Sequence, residues 1–147
     1  MPQGLRVKGQ EVKIVVSGPG GGLVLGIDAI SSFDAEIQQE ILSEGFLGEV
    51  AERKDEIFRG CTGSVEAQLS SRDYLRFVAR VNDRATRRTP ATEVWNITAA
   101  LEMPGGGTAK VTFQDVAFGA LPLNVGGRDE YVSVGFDWEC SAFRIVL

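Results

Sequence analysis

The stretch SSFDAEIQQEILSEG, residues 31–45, alternates in steps of two almost without interruption. Ser31, Phe33, Ala35, Ile37, Gln39, Ile41 and Ser43 fall on one side. Ser32, Asp34, Glu36, Gln38, Glu40, Leu42 and Glu44 fall on the other. Ala, Glu, Gln and Leu favour helix, and Ile30, Phe33, Ile37 and Ile41 suit a helix nearly as well as a strand. The sustained period of two favours the strand. About 14 residues at ~3.3 Å each span roughly 46 Å, against a usual strand of about 5–6 residues. A strand of that length carries exposed edges that aggregate unless something pairs with them. Phe33, Ala35, Ile37 and Ile41 are expected to pack inward, leaving Asp34, Glu36, Gln38 and Glu40 as an acidic outer row.

Other segments repeat the pattern. EVKIVVSG (11–18) reads as a strand that ends at GPGGG, a turn or flexible loop, and LVLGI (23–27) can begin another. The charged tract EVAERKDE reads as a loop or as the solvent-facing part of a hairpin. Beyond it Ile57, Cys61, Val65, Ala67 and Leu69 share one face, while Phe58, Gly60, Thr62, Ser64, Glu66 and Gln68 share a small, polar one. EVWNITAALEM, PGGG and TAKVTFQDVAFG form the clearest hairpin. ALPLNVGGRDE is a loop. The final run, EYVSVGFDWECSAFRIVL, places Val132, Val134, Phe136, Trp138 and Cys140 opposite Tyr131, Ser133, Gly135, Asp137, Glu139 and Ser141.

One helix interrupts these strands, in SSRDYLRFVARVNDRATRR. Ser71 is its expected N-cap, Asp73 suits the first turn, and Pro90 stops it. Tyr74, Phe77, Val78, Val81 and Ala85 form the packing stripe. Arg72, Arg76, Arg80 and Arg84 recur every four residues, extended by Arg87 and Arg88. That basic stripe suits either a solvated face or a contact with an acidic protein surface. Phosphate binding is the weaker use, because no aromatic residues interleave for base stacking. The chain therefore reads as one domain over 1–147, mainly β (α+β), a sandwich or barrel with long hairpins and one packed helix.

Chemistry is sparse. With 147 residues, no histidine and a net charge of −5, the chain lacks the commonest general base and the Ser-His and Cys-His nucleophile pairs. The acidic balance argues against general nucleic-acid binding. No apolar run approaches the roughly 20 residues of a membrane span. No metal-site spacing occurs and no cofactor is expected. Carboxylates are abundant, at Asp34, Glu36, Glu40, Glu44, Glu49, Glu52, Asp55, Glu56 and Glu66. A hydrolase would need two of them in a pocket that separates their acidities, and alternate positions on one strand merely share solvent. Cys61 and Cys140 are either two buried thiols or a disulfide.

Taken in order, IDAISSFDAEIQQEILSEGFLG, GCTGSVEAQLSS, RDYLRFVARVN, VWNITAALEMPGGGTAKVTFQDVAFGAL and EYVSVGFDWECSAF resemble the phage tail tube proteins, a family similar to the tube proteins of type VI secretion and other contractile machines. The resemblance spans nearly the whole chain as a pattern of elements. It implies a non-enzymatic structural subunit of the virion, made in the bacterial cytoplasm. Its hexameric rings would stack into a hollow tube whose subunits build a ring-shaped β-barrel. It also implies a lumen lined by Asp34, Glu36, Gln38, Glu40, Thr62, Ser64 and Glu66, through which DNA passes without specific binding. Arg72, Arg76, Arg80 and Arg84 would then meet the sheath or other tail proteins. A tube-like adaptor or terminator, or a secretion-type tube protein, is the alternative within the same resemblance.

Overall fold

The long alternation is a strand: β2 runs Ile30–Glu44, 15 residues, and pairs antiparallel with the 16-residue β3, Arg53–Gln68. The computed structural model describes residues 7–9, 12–18, 30–69, 72–87 and 94–147. GPGGG beyond Gly18, the strand expected at 23–27, the Ser71 cap, Arg88 and Pro90 lie outside them, as do the side chains of Asp73 and Arg87. Around the β2–β3 hairpin stand β1 (Val12–Ser17), α1 (Asp73–Arg87), β4 (Asn96–Glu102), β5 (Thr108–Gln114), β6 (Ala117–Phe118), β7 (Leu123–Asn124), β8 (Ser133–Cys140) and β9 (Ala142–Val146). One sheet has the order β1-β4-β5-β9, and the other β2-β3-β8-β6, with β7 also on β8.

Two expected strands are cut short so that the chain can change sheets. The return strand of the β4–β5 hairpin ends before Asp115, which takes a φ of 55° and receives a cap from Asn96 Oδ1 on its backbone N–H at 3.2 Å. The next residues, β6, pair with β8 in the opposite sheet. The last run likewise breaks at Ser141, with β8 on β3 and β9 on β5. The PGGG reversal forms as expected: Gly106 and Gly107 take positive φ, and Gly106 N–H donates to Met103 O at 3.0 Å. Of the two readings of the charged tract, the solvent-facing part of a hairpin holds for 53–56, which extend β3 against β2.

Between the sheets lie Ile14, Val16, Ile97, Ala99 and Phe113 from one side, and Cys61, Val65, Val134, Phe136, Trp138 and Cys140 from the other. Helix α1 adds Tyr74, Phe77 and Val81 to this core, with Val78 half-buried. Ala85, expected in the packing stripe, is exposed, because a stripe that starts at Tyr74 has turned off the sheet by the helix's last turn. Phe77 is the aromatic hub, with ring centroids 5.0 Å from Trp95, 4.9 Å from Phe118 and 5.2 Å from Phe136.

Tyr74 ties the helix to the sheet, donating its hydroxyl to Gly135 O at 2.7 Å, with Pro122 O a poorer acceptor at 3.2 Å. Tyr74→Phe should cost about 1 kcal/mol at neutral pH, read by urea unfolding. Burial pushes the Tyr74 hydroxyl above its ordinary value. The folded state therefore holds this proton more tightly than the unfolded chain, and the contribution fades as pH rises through about 10 and beyond. The Phe variant should show a shallower alkaline loss of stability.

Candidate functional site

The register places the acidic row on one face. Asp34 lies opposite Ser64, Glu36 opposite Thr62, Gln38 opposite Gly60 and Ser32 opposite Glu66. Directly opposed residues point to the same side of an antiparallel pair, and the partner side of each strand carries Phe33, Cys61 and Val65 toward the core. Polar links run across this face. Ser64 Oγ donates to Asp34 Oδ2 at 3.2 Å, Gln38 Nε2 to Thr62 Oγ1 at 3.4 Å, and Ser32 Oγ to Glu66 Oε2 at 3.5 Å. The face thus brings together all seven residues that the sequence nominates as one row.

The third strand adds acids that the sequence did not nominate. In the β3–β8 register Ser64 is opposite Asp137 and Thr62 opposite Glu139. The rows Asp34–Ser64–Asp137 and Glu36–Thr62–Glu139 therefore cross three strands, and they line an open concavity of about 540 Å³. Asp137 and Glu139 already stood on the polar side of the last run. What the sequence could not supply was the register joining that side to β3. Arg59 is the cation at the edge of this face, with Nη2 2.6 Å from Glu40 Oε2. The carboxylates share an open surface, without the enclosed setting that separates a general acid from a base.

A bulge limits the face. Gln38 pairs with Gly60 but Gln39 pairs with Phe58, so Arg59 is an extra residue, and Gly60 takes a φ of 98°. The side-chain alternation therefore inverts there. Ile57, expected beside Cys61, sits opposite Glu40 on the acidic side. Phe58, expected on the polar side, turns to the other and meets Phe143 at 5.7 Å between ring centroids. A second irregularity at Ser31 turns Ile30 inward to face Ala67.

Beyond the bulge the hairpin leaves the sandwich. β8 pairs with β3 only from Cys61 to Gln68, so 39–44 and 53–58 form a two-stranded ribbon. The expectation that Phe33, Ala35, Ile37 and Ile41 all pack inward holds only for Phe33, whose ring stacks on Trp138 at 5.9 Å. Ala35 is exposed, and Ile37 and Ile41 are 43% and 65% exposed, all three on the edge strand of their sheet. Leu42, Phe46, Leu47 and Val50 are exposed as well. At the tip Arg53 pairs with Glu49 at 2.6 Å and lies 4.9 Å from the Phe46 ring centroid.

The arginine stripe is not one surface. Arg72 and Arg76 are exposed and Arg80 is half-buried. Arg84 turns inward, its Nη2 donating to Val116 O at 3.2 Å and its guanidinium 5.9 Å from the Phe118 ring. Steps of four on a helix of 3.6 residues per turn drift by about 40° each, which carries Arg84 round to the sheet.

No protein-family model matches the chain, and no curated protein matches it in sequence. Solved structures do. The SPP1 tail tube superposes with a TM-score of 0.68 at 9% identity, over 95% of this chain and 78% of that one. The tube-terminating cap of the anti-feeding prophage gives 0.66 at 7% identity, over 99% and 94%. The extended sheath–tube complex of an extracellular contractile injection system, PVC, gives 0.62 at 10% identity, over 91% and 88%. The fold is that of tail tube proteins and their caps.

Proposed function

We propose that this chain, having the tail-tube fold, is a structural, non-enzymatic subunit of a phage tail or related injection tube. Six copies would close a ring, rings would stack, and the acidic face of β2, β3 and β8 would line the lumen. One observation carries this reading: β2, 15 residues long, is the edge strand of its sheet, and its outer backbone edge has no partner among the described residues. A second copy that pairs along this edge removes the exposed ladder, and closure of a ring removes every such edge. Asp34, Glu36, Gln38, Glu40, Thr62, Ser64 and Glu66, joined by Asp137 and Glu139, would repel phosphate and let DNA slide without adhering. Arg72, Arg76 and Arg80 would serve contacts with sheath or other tail proteins on the outside. Such a subunit is made in the host cytoplasm and ends in the virion.

Negative-stain electron microscopy of the purified chain is expected to show six-fold rings or hollow filaments. A strictly monomeric chain at high concentration, under all conditions, would refute the assignment. The luminal assignment has its own readout. Replacing Asp34, Glu36 and Glu40 together with Lys should leave tubes intact yet lower DNA delivery by about tenfold or more, because added cations hold phosphates. Unchanged delivery through intact tubes would place the acidic face elsewhere. The similarity to a tube-terminating cap favours a second reading, a terminator; rings that never stack would select it.

A further inference from the structure

Cys61 and Cys140 are both free thiols, 1% and 7% exposed, and they are direct partners in the β3–β8 register. Both side chains leave neighbouring strands toward the same interior side. Opposed residues of an antiparallel pair have Cα atoms about 4.5–5.5 Å apart, inside the roughly 4.4–6.8 Å span of disulfides. Their Cβ atoms, about 4.5–5.5 Å apart, must draw together slightly to reach about 3.8 Å. Irregular backbone adjoins both cysteines. Cys61 follows the Gly60 bulge, and Cys140 precedes the break at Ser141 where the chain changes sheets. In the thiol state Cys140 Sγ donates to Ala142 O at 3.3 Å, a weak bond that closure gives up. The sequence holds no third cysteine to compete.

We infer that Cys61 and Cys140 form an oxidisable pair, which closes to an intrachain disulfide and staples β3 to β8 beneath the acidic face when the chain meets a small-molecule disulfide. One cysteine thiolate attacks a sulfur of oxidised glutathione, forming a mixed disulfide and expelling one glutathione thiolate. The second cysteine thiolate attacks the protein sulfur of that mixed disulfide and expels the other. Two electrons pass from the protein to the oxidant, and the two cysteine protons end on two glutathione molecules. Burial, then the neighbouring Cys61, push the Cys140 thiol up to about 11. Cys140 therefore presents little thiolate in the folded chain at neutral pH, and its reaction is faster while the strands are open. This inference needs only the β3–β8 register and stands whether or not the chain builds tubes.

The test refolds the full chain from denaturant in excess oxidised glutathione and compares it with chain kept in dithiothreitol. The oxidised chain should be lighter by about 2 Da, for two hydrogens lost, and should yield a Cys61–Cys140 cross-linked peptide with no dimer on a non-reducing gel. Its Tm should rise by about 5–15 °C, and dithiothreitol should reverse every change without any variant. Cys61→Ala and Cys140→Ala should each abolish the cross-link and the Tm increment. Glutathione adducts or interchain dimers as the end product would overturn the inference. So would two titratable thiols after refolding, or a cross-link that leaves Tm unchanged or lower.

Discussion

Gly63→Ala should destabilise the chain by more than about 3 kcal/mol, a large share of the roughly 5–15 kcal/mol that holds a domain together. A Cβ at position 63 would stand 2.5 Å from Trp138 Cζ2 and would meet the Asp34 carbonyl oxygen more closely still. Neither neighbour can yield. The Trp138 ring is 1% exposed and packed between Phe33 and Phe113, and the Asp34 carbonyl belongs to the β2–β3 ladder. The methyl group must therefore push two strands apart. Gly119→Ala is the matched control: the nearest atoms to its Cβ are Asp137 Cβ at 3.6 Å and Asp137 O at 3.7 Å, ordinary contact. Its effect should stay within about 0.5 kcal/mol. Soluble yield and urea unfolding measure both, and a Gly63→Ala chain within about 1 kcal/mol of the parent would show that the sheet gives there.

Phe77→Ala should cost about 3–5 kcal/mol. Phe77 is 0% exposed, and its ring touches those of Tyr74, Trp95, Phe118 and Phe136, so truncation opens a void bordered by four aromatic rings. Leu75, two residues away and 49% exposed, should change stability by no more than about 0.5–1 kcal/mol when replaced by Ala. The effect should also be local. A 15-residue helix is marginal without tertiary packing, so α1 should lose helical circular dichroism and amide protection before the sheets do. Equal protection in Phe77→Ala and the parent would mean that Tyr74 and Val81 suffice to hold the helix.

The sequence disclosed what local periodicity encodes. The β2 alternation, the helix, the PGGG hairpin and the two faces of β8 all follow from side-chain patterns within one element. What stayed hidden depends on pairing between distant segments. The tract ERKDE, polar on both faces, reads equally as loop or as the solvent-facing part of a hairpin, and only its pairing with β2 decides for the strand at 53–56. Arg59 and Gly60 look unexceptional in sequence, so the bulge and the inverted placement of Ile57 and Phe58 were invisible. Asp137 and Glu139 could be given a face but not neighbours. Ile37 and Ile41 show the converse: their alternation is regular, but they stand on an edge strand, a place in the sheet that no local pattern records.

The bulge at Gly60 also divides β3 into two structural reading frames. From 61 to 68 odd positions point to the core, whereas in 53–58 even positions point to that same side. A substitution pattern that suits one half has the opposite meaning in the other, so the ribbon and the sandwich portion can change their surfaces independently while remaining one strand. Removal of Arg59 alone would merge the two frames into one. Phe58 would stay opposite Gln39 and Ile57 opposite Glu40, now in unbroken alternation with Cys61.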